Sequence, residues 1–591
     1  MKAIISSKKK QIVIVLGIVL FGLIVLWPSF LLHFDGDSYL TLWRYQLTVK
    51  QNSSLAFSFL TTFFTDYGPQ DSIFAALYSL FGFRPIYFYT ISFIIRLVAA
   101  FSLYPLLFYL TKNKIAAYFS VTLFLITPVG LETTNWVFNI PSYLAIVFLN
   151  MFLLLYLKLL NKIDLAHYFL SLVALFLLII IQPIRMVFVF PFLMLSALVT
   201  LFFKKISIRN SILIHAGYIA LFLLIFTFGN IGDSVGVKGT PTEKIRGLWI
   251  RNTFVGTGGL SSAIKERNYK AAYYYIGQIG NIVAPNYLVP KETTPNTSVE
   301  MAFKYTLPIF IIYCIIVFLV NDFKKYKPFL FFSAFLWTAH IWWTFHYKAQ
   351  YPVQPHEIFS LIVGGYFILT LIPVFLILRD KQKHIVGLIV GILIIFLSYF
   401  IPWVRNPFST IDTVGRYLIV SAAGLSIVAG LTLSTINKGK IVTIGLVLYI
   451  AFCAISSFSY LNDLYRYRGY SVTENIRSSI PKVVEFKQVE KPVMVYLQSD
   501  NERQLYHSLY FGFPVMMYYY QDVGNIWNIA YTTNWSEVVS AYQTGEGFRR
   551  FGTMPIKPAE LKYIYSYKLV NNKIVDTTQQ TRDELIKISK P

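Results

Sequence analysis

Two carboxylates one residue apart, Asp35 and Asp37 in His33-Phe34-Asp35-Gly36-Asp37-Ser38-Tyr39, follow directly on the first long apolar run of this 591-residue chain. A carboxylate near low-dielectric surroundings is costly unless it is paired, hydrogen-bonded or bound to a metal. Asp35 could cap a turn and Asp37 the next helix. Otherwise the pair is placed to take a proton from a hydroxyl group. Asp35-Gly36-Asp37 also has the form of a two-oxygen donor for Mg²⁺ or Mn²⁺, although two carboxylates do not establish a metal.

Further ionisable residues gather in the same class of loop. The first such loop continues with Asp66 and Asp71 in FFTDYGPQDSIF and Arg84 in FGFRPIYFYT. Asp71, before Ser72 and an apolar run, reads as a helix N-cap. TPVGLETTNWVFNIPS holds Glu132, Asn135, Trp136 and Asn139, which puts a second acid and an aromatic platform at the level of Asp37. Trp136 alone also fits an interfacial aromatic belt. Arg185 in IQPIRMVF and Arg405, Asp412 and Arg416 in PWVRNPFSTIDTVGRYLIVS add cations with the geometry to hold a phosphate bidentately. Snorkelling, or pairing with the carboxylates, is the alternative use. Arg96 in ISFIIRLVAA stands apart, deep in an apolar run, where a transporter or a buried ion pair would place it.

The elements that position these residues are about thirteen apolar runs between residues 11 and 460: 11–32, 86–110, 115–131, 141–160, 166–182, 184–203, 211–230, 303–321, 328–346, 357–378, 385–402, 416–436 and 441–460. At ~1.5 Å per residue a run of about twenty spans the ~30 Å hydrocarbon layer. The first follows Lys8, Lys9 and Lys10 and ends in Trp27 and Pro28, with no small-residue cleavage site, so it reads as a retained helix. Every second loop is basic: Lys112/Lys114, Lys158/Lys162, Lys204/Lys205/Arg209, Lys324/Lys325/Lys327, Arg379/Lys381/Lys383 and Lys438/Lys440. The positive-inside rule puts these loops and the N-terminus in the cytoplasm. Segments 33–85 and 231–302 and the tail then face outward.

With 56% hydrophobic and 14% charged residues, the composition excludes an ordinary soluble domain. The net charge of +24 resides largely in the basic loops, whose counter-charge is anionic lipid, so nucleic acid is not an expected partner. Cys314 and Cys453 lie in apolar runs and offer neither a disulfide framework nor a thiolate metal site; both read as buried structural cysteines. Asn-X-Ser/Thr occurs at Asn52, Asn296 and Asn534, a tripeptide too common to indicate glycosylation. The fold class is an all-α polytopic membrane protein of about thirteen transmembrane helices, residues 1–460, with a small extracytoplasmic α/β domain at 461–591. In that tail, Val493–Leu497 reads as a strand, and polar turns fall near Asn525, Gly545 and Gly547.

In pattern, the sequence resembles the GT-C superfamily of membrane glycosyltransferases that use polyprenyl-phosphate sugars, particularly its protein O-mannosyltransferase-like branches. FDGDSY after the first helix, FRPIYFYT entering the second, TPVGLETTNW between the third and fourth, and GRYLIVSAAGL entering a late helix are similar to that family's motifs. Two departures stand out. Gly36 separates acids that are adjacent in those branches, and Thr127-Pro128 replaces a His-Pro, with His33 a conceivable substitute for the missing histidine.

The resemblance implies inverting transfer of a sugar from a polyprenyl-phosphate donor to a glycan, lipid or protein acceptor on the outer face of a plasma membrane. It implies Asp37 or Asp35 as base, Arg84, Arg185 and Arg416 as candidates for the donor phosphate, and Glu132 and Trp136 as substrate-binding residues. Some relatives hold a metal beside the first-loop acids, so Mg²⁺ or Mn²⁺ at Asp35 and Asp37 is the cofactor to consider. The rival classes are a lipid or polysaccharide flippase, which would show mid-helix charges and repeated broken helices, and a non-catalytic membrane assembly protein.

Overall fold

The computed structural model describes residues 2–34, 69–131, 140–183, 185–202, 207–228, 260–268, 270–289, 298–347, 354–378, 381–405, 415–435, 440–483, 493–510, 512–521, 529–544 and 560–589, with scattered positions from 38 to 60 and Ile526. Asp35, Asp37, Asp66, Glu132 and Trp136 lie outside the described residues, as do the turns near Asn525, Gly545 and Gly547.

Helix α1 is Lys2–Leu26, α2 Gln70–Phe81, α3 Pro85–Thr111, α4 Lys114–Ile126, α5 Ile140–Leu159, α6 Leu165–Ile181, α7 Val189–Phe202 and α8 Ile208–Phe228. The bundle continues with α9 Lys270–Val283, α10 Ser298–Leu319, α11 Lys327–Tyr347, α12 Pro355–Leu378, α13 Gln382–Arg405, α14 Ile419–Thr435 and α15 Lys440–Arg468. Apolar side chains cover these helices all round, so their ends carry the local specification. Pro85 opens α3 at its first turn, and Lys112 closes it in a left-handed conformation at φ 55°. Asn113 then caps α4 by accepting from the amides of Ile115 and Ala116, and Asp164 caps α6 by accepting from that of Ala166. The basic connections at Lys112–Asn113 and before Asp164 are therefore tight turns.

Each of the thirteen apolar runs carries a helix, yet among the described residues only eight helices are long and apolar enough to cross a membrane. Two features leave the expectation of about thirteen transmembrane helices unconfirmed. The pair Lys304–Leu319 and Asn321–Thr344 turns through 111° at its break, which allows one broken span or a re-entrant loop. Helices α4, α6 and α14 have 13, 17 and 17 residues. At ~1.5 Å per residue they reach only about 20–25 Å.

Helix α9 was not among the apolar runs; it lies in the segment 231–302 and packs against α12. A Cβ on Gly280 would meet the Ser360 carbonyl oxygen at 1.7 Å, and one on Gly364 the Ile276 carbonyl oxygen at 2.0 Å, so only glycine permits this approach. Tyr275 donates to the Phe396 carbonyl at 2.7 Å and Trp403 to the Ala271 carbonyl at 2.7 Å. Tyr275 and Trp403 thus tie α9 to α13.

Composition changes at Leu461, but α15 runs on to Arg468, followed by α16, Tyr470–Ser478. Beyond it, β1 (Val493–Ser499), β2 (Ile529–Thr532), β3 (Ile564–Val570) and β4 (Lys573–Asp576) form one sheet in the order β2-β1-β3-β4. Strand β1 pairs parallel with β2 and β3, and β4 pairs antiparallel with β3. Helices at Glu502–Leu505, Phe513–Gln521, Trp535–Gln543 and Thr578–Ser589 complete a small α/β unit. Asn534 caps the third of these by accepting from the Ser536 amide. Cys453 is buried, whereas Cys314 is only partly so.

Candidate active site

The three short helices share a polarity. Helices α4 and α6 begin at basic turns and α14 ends at one, so their shortfall against a ~30 Å layer gathers at the opposite end of the bundle. The connections carrying TPVG, QPIR and GRYL lie at that end.

Arg96 makes one of these shortened ends tolerable. It is fully buried and donates to the carbonyls of Leu125 at 2.9 Å and Thr127 at 2.7 Å, and to the Tyr143 hydroxyl at 2.9 Å. It therefore satisfies carbonyls at the end of α4, groups that cannot be left bare inside a membrane. Thr127 is extended at ψ 138°, as a residue before proline must be, and Gly130 turns back at φ 74°. A Cβ on Gly130 would lie 2.6 Å from Ile419 Cβ, so this connection abuts the start of α14.

Arg185 comes to the same place. Its Nη1 donates to Ser142 Oγ at 2.6 Å, and its guanidinium lies over the Tyr417 ring at 5.6 Å. Arg416, the residue before Tyr417, has its backbone described in a 3-10 turn and its side chain outside the described residues. Gln182 donates to Gln70 at 3.1 Å, which docks the first loop on the end of α6. The helix begins at Gln70 with Pro69 at the cap position, so Asp71 falls inside the first turn and is not the N-cap. Arg84 is exposed at the entry of α3, beside Phe83, whose ring packs on Phe34 at 5.0 Å and Tyr39 at 5.1 Å. Phe34 and Tyr39 bracket the acidic pair.

The bracketing residues are also gripped from the tail. His33 is buried; its Nε2 lies 3.1 Å from Glu474 Oε2, and its Nδ1 2.8 Å from Arg477 Nη1. A guanidinium only donates, so Nδ1 is the acceptor and Nε2 carries the proton. Arg477 also donates from Nε to the Ser508 carbonyl at 3.0 Å and from Nη2 to the Phe34 carbonyl at 3.1 Å, and it lies over the Tyr39 ring at 4.5 Å. Tyr520 donates to Glu474 at 2.7 Å, and Tyr470 stacks on His33 at 5.2 Å. The His33 amide bonds to the Arg468 carbonyl at 2.8 Å. Burial, then the Arg477 charge, lowers the His33 pKa to about 4, so the ring is neutral near pH 7. Glu474 is held below its usual range chiefly by the His33 hydrogen bond.

His33 is thus a bound strut at the base of the acidic pair. Glu474 and Arg477 escaped the sequence reading, although their i, i+3 spacing after Gly469 puts them on one helix face. Among the described residues, no three His, Cys, Asp or Glu side chains gather as a metal group.

No family model and no curated protein matches the sequence. Solved structures of an archaeal oligosaccharyltransferase are similar to it. Archaeal oligosaccharyltransferase AglB from Archaeoglobus fulgidus, in complex with an inhibitory peptide and a dolichol-phosphate, matches 83% of this chain and 62% of its own, at 14% identity and TM-score 0.36. The Archaeoglobus fulgidus oligosaccharyltransferase in complex with Zn and sulfate matches 82% of this chain and 60% of its own, at 15% identity and TM-score 0.33. The chain thus spans less than two thirds of the length of each.

Proposed function

We propose that this protein is a multi-pass membrane glycosyltransferase that moves a sugar from a polyprenyl-phosphate donor to an acceptor hydroxyl on the outer face, with inversion. The observation that carries this reading is the meeting of Arg185, Tyr417 and the Gly130–Ile419 contact at one end of the bundle. An arginine at the end of apolar helices suits a lipid-linked donor, because the phosphate can reach it while the lipid chain stays in hydrocarbon. The basic loops at the other end support an outward-facing site, a cytoplasmic N-terminus and an extracytoplasmic tail.

In this account the Asp37 carboxylate, or Asp35 beside it, takes the proton of the acceptor hydroxyl. The acceptor oxygen forms its bond to the anomeric carbon on the face opposite the phosphate. The anomeric carbon to phosphate-oxygen bond breaks, and its electron pair leaves on the lipid phosphate. Arg185 and Arg416, with Arg84 nearer the surface, balance that charge. Glu132 orients an arginine or meets the acceptor, and Trp136 offers it an aromatic face. Arg96, the mid-helix charge a flippase would use, instead spends its donors on carbonyls and a tyrosine.

The test is transfer of labelled sugar from a panel of polyprenyl-phosphate donors by the purified protein in lipid, with Arg185→Ala as comparison. Transfer that weakens in the variant through a raised donor KM supports the reading. Absence of transfer with every donor, alongside movement of donor lipid across the bilayer, overturns it.

A further inference from the structure

We propose that the C-terminal sheet carries a separate binding site for an uncharged oligosaccharide, in the cleft at the carboxyl ends of β1 and β3. The strand order β2-β1-β3, all parallel, sends the connections on either side of β1 in opposite directions, and open sheets of this kind form a crevice at such a switch point. A cleft of about 670 Å³ opens there. That is within the ~300–1,000 Å³ of ordinary ligand sites.

The lining identifies the ligand class. The half-exposed Tyr506, and Tyr496 with its ring also packed on Trp535 at 5.5 Å, supply aromatic surface, while Glu502 and the oxygen of the Gln498 amide, whose nitrogen donates to Ser566 Oγ at 3.0 Å, supply planar hydrogen-bonding groups. Such a combination fits a ring with one apolar face and a rim of hydroxyls. The cations are already compensated: Lys568 pairs with Asp500 at 3.1 Å, and Arg503 with Asp463 at 2.5 Å. A phosphorylated ligand would have to break these pairs, whereas a neutral sugar would not.

The cleft is also joined to the acidic pair. Its wall, Glu502 through Tyr506, runs into a π-helical turn, Tyr506–Tyr510, whose Ser508 carbonyl accepts from Arg477. Arg477 in turn holds Phe34. An oligosaccharide in the cleft would therefore press on the element that positions the first loop. The natural occupant is a glycan acceptor, a step that rests on the glycosyltransferase reading; the binding itself does not.

The experiment measures binding of neutral oligomers of glucose, galactose, mannose and N-acetylglucosamine to the full chain in phosphatidylcholine nanodiscs, without donor, by saturation-transfer NMR. At least one oligomer binds, and Tyr506→Ala and Gln498→Ala each weaken it tenfold or more, with Tyr506→Ala, at an exposed side chain, leaving the melting temperature at the wild-type value. Binding of no neutral oligomer, binding indifferent to both substitutions, or preferential binding of inorganic phosphate overturns the site. Sugar transfer to a non-glycan acceptor without oligosaccharide binding would remove this inference alone; oligosaccharide binding without transfer from any donor would remove the glycosyltransferase reading alone.

Discussion

Arg477 and Phe34, 443 positions apart, are joined by a 3.1 Å hydrogen bond from Nη2 to the main-chain carbonyl. The next residue after Phe34 is Asp35. The same guanidinium reaches the Ser508 carbonyl and His33 Nδ1, so one buried side chain ties the tail to the start of the acidic pair.

Lysine at this position keeps the charge but cannot serve three acceptors in three directions. Arg477→Lys is expected to lower kcat for sugar transfer by about tenfold or more, the scale of a ~1.4 kcal/mol loss at the transition state, with donor KM little changed. Arg477→Ala should also destabilise the junction, by about 1–3 kcal/mol for each buried acceptor left unsatisfied. Steady-state kinetics on the folded fraction, with melting curves for both variants, check this.

The pH dependence has a definite sign. His33 has its folded pKa lowered from 6.5 to about 4, so the unfolded junction binds a proton more readily. The stability it contributes is complete above pH 6.5 and is lost as pH falls toward 4; at ~1.36 kcal/mol per unit that is on the order of 3 kcal/mol. Glu474, also lowered, adds loss of the same sign at the acid end. The protection factors of the Tyr470–Ser478 amides, taken relative to the intrinsic rate at each pH, should fall between about pH 6.5 and 4.5. His33→Asn, which keeps an acceptor for Arg477 but does not titrate, should flatten that dependence.

Arg96 is expected to act on stability and not on substrate. Arg96→Met leaves the carbonyls of Leu125 and Thr127 without those donors, at about 1–3 kcal/mol for each unsatisfied group. The melting temperature should drop while the donor KM of the folded fraction stays at the wild-type value. A changed KM with an unchanged melting temperature would assign Arg96 to a substrate path.

Gly130→Ala tests the contact between the TPVG connection and α14. The backbone at φ 74° costs a non-glycine residue about 1–2 kcal/mol. The Cβ would also overlap Ile419, adding roughly 1–3 kcal/mol for a crowded core. Lower thermal stability together with weaker donor binding is the expected outcome. Neutrality in both would show that the connection does not need this contact.

What the sequence disclosed follows from how far each signal reaches along the chain. Apolar runs and their basic connections are local, and each run became a helix. The run 115–131 nevertheless overstates its helix, because Val129 and Leu131 are apolar while Pro128 and Gly130 end the helix at Ile126. That same shortening gives Arg96 its carbonyl partners. Asp71 looked like a cap because its type is right; Pro69 takes the position by geometry. The strand at Val493 was legible from its β-branched run, whereas α9 was hidden by the glycines that let it pack. The His33, Glu474 and Arg477 node joins residues more than 400 positions apart, and nothing in either segment alone announces the other.

The most direct test of the central claim is sugar transfer from polyprenyl-phosphate donors by the wild-type protein, Asp37→Asn and Asp35→Asn, each purified in lipid with matched melting temperatures. The account predicts transfer by the wild type and its loss in at least one of the two variants, since an amide cannot accept the acceptor's proton. Undiminished transfer in both variants would contradict it.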